Sequence, residues 1–380
     1  MRRLILIPAL ASIALASACE QETPNHPSST LENPEPEAEP TALPDDRTVD
    51  YNLALRAASL KLLDTPPSLA SIKSIELSQN PAVPYREAVD AMLADVRFRD
   101  RMVRWWKDTM RLGGEAEGGI PSRDTAPVFA AQIVVEERSF GDLFTASSGT
   151  CPTYDPVAHT FTPSDCSNGV PEHAGVLTNP GVQHQFFGNM AFRRVRWLQE
   201  VFLCAAFPVE RASGLSESGY SSPWLLESIS ASPVDFRALG TVVCGNCHTT
   251  MNHIAPLFGR FDAQGMFHDT FQVLTPVAPA PVTTELSHWL SAGEETAWRK
   301  GIPAADLPSL GQAIAADPAV AACAVARAWN FAMSKDDIVS DQAVVPVEVI
   351  QPFINEFQSN GMRLKKVLRS ILLSEDFIRF

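Results

Sequence analysis

Cys244-Gly245-Asn246-Cys247-His248 constrains this 380-residue chain more tightly than any other stretch. Two thiols about one helical turn apart can add to the two vinyl groups of a single porphyrin, and the histidine that follows delivers its imidazole to the iron from one face. C-x-x-C alone would serve a zinc ribbon or a dithiol redox site equally well, but the adjoining histidine selects the attachment motif of haem c. Cys244 and Cys247 are therefore expected to carry one covalent haem c, with His248 as the proximal iron ligand.

The N-terminus specifies a compartment. Residues 1–18 begin with Arg2 and Arg3, run through an apolar stretch at 4–15 and end in small residues before Cys19, the make-up of a secretory signal peptide rather than a membrane-spanning helix. Leu15-Ala16-Ser17-Ala18-Cys19 resembles a bacterial lipobox, in which the cysteine becomes the acylated first residue of the mature chain. Each buried methylene of such an anchor contributes about 0.8 kcal/mol, so a multiply acylated cysteine holds a folded domain to a bilayer. Glu20 after the cysteine resembles the sorting signal for the outer membrane. Ordinary cleavage, with Cys19 an incidental thiol, is the alternative. The expected location is the cell envelope, periplasmic or outer-membrane, with membrane contact through the lipid anchor only.

From Glu20 to about residue 50 the chain is mostly Glu, Pro, Ser, Thr and Asn, which bury too little to offset their ordering entropy, so residues 19–50 read as a lipidated cysteine and disordered tether. Residues 51–380 are long for one core and are expected to form two or three subdomains. These are a helical domain at 51–150, a disulfide-bearing loop and helical domain at 151–243, the haem segment at 244–270 and a C-terminal helical domain at 271–380. No second apolar run is long enough to span a bilayer, so the body is expected to be soluble. A formal charge of −14 argues against nucleic acid as a partner, since phosphates require clustered Lys and Arg. Arg99, Arg101, Arg104 and Lys107 do cluster, as do Arg193, Arg194 and Arg196, but their interleaving with apolar residues reads as solvated helix faces.

The periodicity is mainly that of α-helix. Residues 84–112 carry Val89, Met92, Leu93, Val96, Met102, Val103 and Trp106 near the 3.6 spacing, closed by Gly113-Gly114. Further helices are expected at 124–138, with Pro127 in the first turn, and at 189–207, 283–289, 307–334, 347–360 and 364–373. Alternation is rare, so the fold class is mainly α, loop-rich and multi-helix, with minor strands near 154–162. Of seven cysteines, one is assigned to the lipid and two to thioethers, leaving four that can pair. Cys151 and Cys166 bracket a polar loop and form the natural local pair, leaving Cys204 and Cys323 as a long-range staple. Either pair could instead be buried thiols, because spacing does not fix connectivity.

The run from Cys244 through Met251, Phe261 and Asp262 to Gly265 resembles the haem segment of planctomycete-type cytochrome c-like multidomain proteins, with a C-x-x-C-H-x-x-M signature leading to a phenylalanine, aspartate and glycine close. The stretch at 174–178, the helix ending Phe202-Leu203-Cys204 and residues 310–380 resemble the domains before and after that segment, so the likeness covers most of 85–380. It implies domain order and class but no substrate, the family being largely of unknown function. Asn252 and His253 replace the usual Asp-Pro, and the additional cytochrome-like domain of longer relatives is absent, which leaves a second haem without support in this chain.

The group opposite His248 is not fixed by spacing. Met251 and His253 follow too closely to reach the far face of the ring, and Met251 suits packing against the porphyrin instead. Met266 and His268 have the slack to serve as distal ligand, while Met333, Met190 and His288 would have to arrive through folding. A Met or His ligand would make an electron carrier, an open position a centre for peroxide or oxygen chemistry. Arg260, Phe261 and Asp262 are read either as haem-lining residues or as a structural turn. Glu136-Glu137, Glu294-Glu295 and Asp336-Asp337 read as wet surface, since sequence neighbours face different ways on a helix. No phosphate loop, nucleophile elbow or zinc-protease helix is present. The leading expectation is a lipid-anchored monohaem cytochrome-like protein passing single electrons to an unidentified redox partner. Its alternatives are a haem peroxidase or oxidase, a surface binding or scaffold protein using haem structurally, and a zinc protein using Cys244, Cys247 and His253; whether the chain is an enzyme is left open.

Overall fold

Asp50 caps the first helix, its carboxylate accepting from the amides of Asn52 and Leu53. The computed structural model describes residues 46–205, 242–274, 280–290, 292–299, 301–339 and 342–380, with 242–249 as helix backbone only. The expected signal peptide, the lipidated Cys19 and nearly all of the tether lie outside the described residues. The chain divides into two units, Met1–Asp46 and Arg47–Phe380.

The second unit is mainly α. Among the described residues it holds α1 (Tyr51–Leu63), α2 (Leu69–Glu76), α3 (Ala82–Ala94), α4 (Val96–Met110), α5 (Thr125–Val135), α6 (Asp142–Thr145) and α7 (Pro180–Gln185). After these come α8 (Phe192–Phe202), α9 (Val242–Phe258), α10 (Leu307–Ala315), α11 (Pro318–Ala332), α12 (Val347–Ser359), α13 (Leu364–Leu372) and α14 (Glu375–Ile378). α5, apolar at almost every position, is buried on all sides and packs along α4.

Two runs expected as single helices are broken by caps. Asp95 takes an extended backbone (φ −66°, ψ 142°), closes α3 and accepts from the Arg97 amide to start α4. Asp317 does the same before Pro318, whose missing amide proton is no loss at a first helical position, so 307–334 becomes α10 and α11 bent by 65°. Cys204, expected within a helix, lies beyond the end of α8 with a left-handed backbone (φ 54°).

The described residues also hold three two-stranded antiparallel pairs: β1 (Thr153–Asp155) with β2 (Thr160–Thr162), β3 (Phe271–Val273) with β4 (Val282–Thr284), and β5 (Ala297–Trp298) with β6 (Ile302–Pro303). The first is the expected strand pair, in the register Thr153 with Thr162. A helix expected at 283–289 is instead the end of β4 followed by a 3-10 turn at Leu286–His288; Val282, Thr283 and Thr284 are β-branched and favour the pleat. Both expected disulfides are present, Cys151–Cys166 beside the first hairpin and Cys204–Cys323 joining the end of α8 to α11.

By contact, Arg47–Phe380 forms one unit. α13 packs against α3, α5 and α11, and the Tyr85 hydroxyl on α3 donates to the Leu372 carbonyl at 2.6 Å. The two ends of the unit are also paired, Thr48 and Asp50 donating to Phe380 and Ile378 at 3.0 and 2.9 Å. Among the described residues no single helix is long and apolar enough to cross a membrane; α10 and α11 reach that length only as a bent pair, and both bury their apolar residues in the core.

Two buried charges correct the surface reading. Asp337, expected on a wet face, forms an ion pair with buried Arg327 (3.1 Å) and accepts from the Trp105 indole at 3.1 Å. Burial pushes its carboxyl up to about 6, outweighing the pull of Arg327. Arg194, expected on a solvated face of α8, is 1 % exposed.

Candidate functional site

α9 carries the pentapeptide in its first turns. Positions 244, 247 and 248 stand at i, i+3 and i+4, and the same stripe continues through 251, 254, 255 and 258. Met251, Ile254, Ala255 and Phe258 are all buried, so the stripe that holds the pentapeptide positions runs into the core. α9 packs there against α8, the turn at Asn189–Ala191 and β5. The side chains of Cys244, Cys247 and His248 themselves lie outside the described residues.

The C-terminal end of α9 is clamped. The Arg194 guanidinium donates to the carbonyls of Phe258 (2.7 Å) and Gln183 (2.6 and 3.2 Å) and reaches those of Phe261 and Asp262. Burial pulls it down to about 9, which leaves it charged at neutral pH. It therefore supplies four carbonyls with one cation, tying α7, α8 and the end of α9 together. Arg194 stands four before Leu198 and seven before Val201 on the buried side of α8, the spacing that could have revealed it.

Asp262 closes the turn after α9. Its carboxylate accepts from the amides of Gln264 (2.8 Å) and Met266 (2.9 Å) and from the His268 ring (2.7 Å). Against a partial burial that opposes it, these bonds hold the carboxyl below the usual range. Gly265 completes the turn at φ +73°, where a Cβ would stand 2.3 Å from the Pro180 carbonyl oxygen. Of the two readings of 260–262, the described contacts form a structural turn.

The candidate distal ligands are scattered. Met266 is 39 % exposed, and His268 is bonded to Asp262; both lie at the end of α9 opposite the pentapeptide, about 15 Å along the helix axis. Met333 is half-buried just past α11. Met190 is buried in the turn that packs against α9, with left-handed backbone at Asn189, Met190 and Ala191 in succession, and its amide donates to the Leu274 carbonyl at 2.8 Å. The His288 ring bonds Thr284 and the Glu285 amide.

The zinc alternative meets the geometry of one continuous helix. Position 253 lies nine residues, about two and a half turns, beyond 244, and so on the opposite side of α9. The His253 ring donates to the Glu295 carbonyl at 2.6 Å, and burial holds the imidazole below its ordinary pKa. Among the described residues no cluster of three or more His, Cys, Asp and Glu could hold a metal ion. Comparison with protein-family models, curated proteins and solved structures finds no match to this chain.

Proposed function

We propose that the protein is a lipid-anchored, monohaem c-type cytochrome-like protein that passes single electrons in the cell envelope to a redox partner protein, with the segment order of the planctomycete-type family. The observation that carries this reading is Cys244-Gly-Asn-Cys247-His248 at the start of a helix whose stripe through those positions continues into the core. Cys244 and Cys247 would hold the haem as thioethers and His248 would ligate its iron. Haem c supplies a one-electron iron couple when bound.

The chain's own part is positional. One helix sets the three positions at i, i+3 and i+4, buried Met251 and Ala255 keep water from the continuing stripe, and Arg194 fixes the far end of that helix. The cysteine inventory supports the reading independently. Of seven cysteines, four are consumed in two disulfides, which leaves Cys19, Cys244 and Cys247. Disulfides persist in oxidising compartments, in keeping with an exported chain acylated at Cys19.

The test is production of the full chain in a host with active haem maturation. The peptide containing 244–248 is expected to gain the mass of one haem, the reduced protein to show a c-type α band, and a C244A/C247A variant to lose both. An unmodified mass for that peptide in matured material would overturn the proposal.

A further inference from the structure

The side of α9 away from position 248 borders a cleft of about 370 Å³, within the range of small-molecule sites. Leu257 stands nine residues, about two and a half turns, after 248 and so faces oppositely. With it, Arg260, Phe267, Phe271, Leu286 and Leu307 form the walls. Most of that surface is aliphatic or aromatic and suits a hydrocarbon or aryl body.

One cation stands in it without a direct ion pair among the described residues. The half-buried Arg260 guanidinium lies over the rings of Phe271 (5.1 Å) and Phe267 (6.0 Å) and, among the described residues, meets no carboxylate. The cation–π contact holds the guanidinium beside the rings and leaves N–H groups free to donate, and a guanidinium can recognise a carboxylate through two parallel hydrogen bonds. Asp306, also in the wall, is already committed: its carboxylate accepts from the Ser309 amide (2.8 Å) and hydroxyl (2.6 Å) as the cap of α10. Glu172 at the rim is exposed. With Arg260 these two acids give the wall a net formal charge of −1, so an anion is held only through direct pairing with Arg260 and a second negative charge is opposed.

We propose that this cleft binds a small monocarboxylate with an apolar or aromatic body, its carboxylate paired with Arg260 and its body against Leu257, Phe271 and Leu286. The site is separate from the pentapeptide stripe, and the proposal does not rest on the haem reading.

Calorimetric titration of the full chain with phenylacetate and hexanoate, against phenylacetamide and inorganic phosphate, tests it. Both carboxylates are expected to bind saturably with one site, and the neutral amide about tenfold or more weaker, the worth of one charge-assisted pair. Phosphate is expected not to compete. R260Q is expected to weaken phenylacetate by a similar factor while leaving phenylacetamide unchanged, and R260K to retain part of the affinity. Leu286→Trp, at a position already 41 % exposed, fills the cleft and is expected to abolish binding of both. Absence of saturable carboxylate binding, equal affinity for acid and amide, or an R260Q variant that binds phenylacetate as before would each overturn the proposal; the acid-to-amide comparison needs no variant to fold.

Discussion

Asp337 carries its charge where little water reaches, and its surroundings make stability depend on pH. Its carboxyl, raised from an ordinary 3.8 to about 6 by burial, holds a proton more tightly in the folded chain than in the unfolded one. Stability from this group is therefore greatest below about pH 4 and falls as pH rises to about 6, by about 3 kcal/mol in all. D337N cannot ionise and is expected to lack that fall. Urea unfolding at pH 4.5, 5.5 and 6.5 checks it, and a variant profile parallel to that of the native chain would show that another group is responsible. Asp337 was not legible as buried in the sequence, and Arg194 only through its spacing to Leu198 and Val201, because Asp336-Asp337 and Arg193-Arg194 look alike residue by residue. What separates the members of each pair is a partner far along the chain, Trp105 for Asp337 and Phe258 for Arg194.

Within elements, local preference and tertiary contact can oppose each other, and Gly311 on α10 shows which prevails. By helix propensity alone alanine should gain about 1 kcal/mol at an interior position. A Cβ there would stand 2.2 Å from the Phe144 carbonyl oxygen of α6, a backbone atom that cannot swing aside. G311A is therefore expected to destabilise by about 1–3 kcal/mol net, measured by thermal or urea unfolding. A stabilised variant would mean that α6 and α10 can separate without loss. The same contest explains which elements were readable. α12 and α13 follow the expected runs at 347–360 and 364–373 closely because their apolar spacing is long and uninterrupted. The breaks at Asp95 and Asp317 interrupt runs whose apolar spacing continues across them. The strands β3 to β6 have two or three residues each, too few to establish an alternation.

Across the molecule, the two disulfides constrain the unfolded chain to different degrees. Cys151–Cys166 spans 15 positions and Cys204–Cys323 spans 119. By loop entropy these correspond to about 3 and nearly 5 kcal/mol. The double replacement C204A/C323A is expected to lower stability more than C151A/C166A, by about 1–2 kcal/mol in chemical unfolding; the reverse order would contradict the entropic account. The helical class could be read from the sequence and both pairings stood among its alternatives, but the contact of α3 with α13 could not be read, because it depends on residues nearly 290 positions apart, as Tyr85 and Leu372 are. The covalent ring closed by Cys204 and Cys323 also encloses the whole of α9. A protease cutting once anywhere inside that ring would release nothing: both pieces would run as one band on a non-reducing gel and separate once thiol is added.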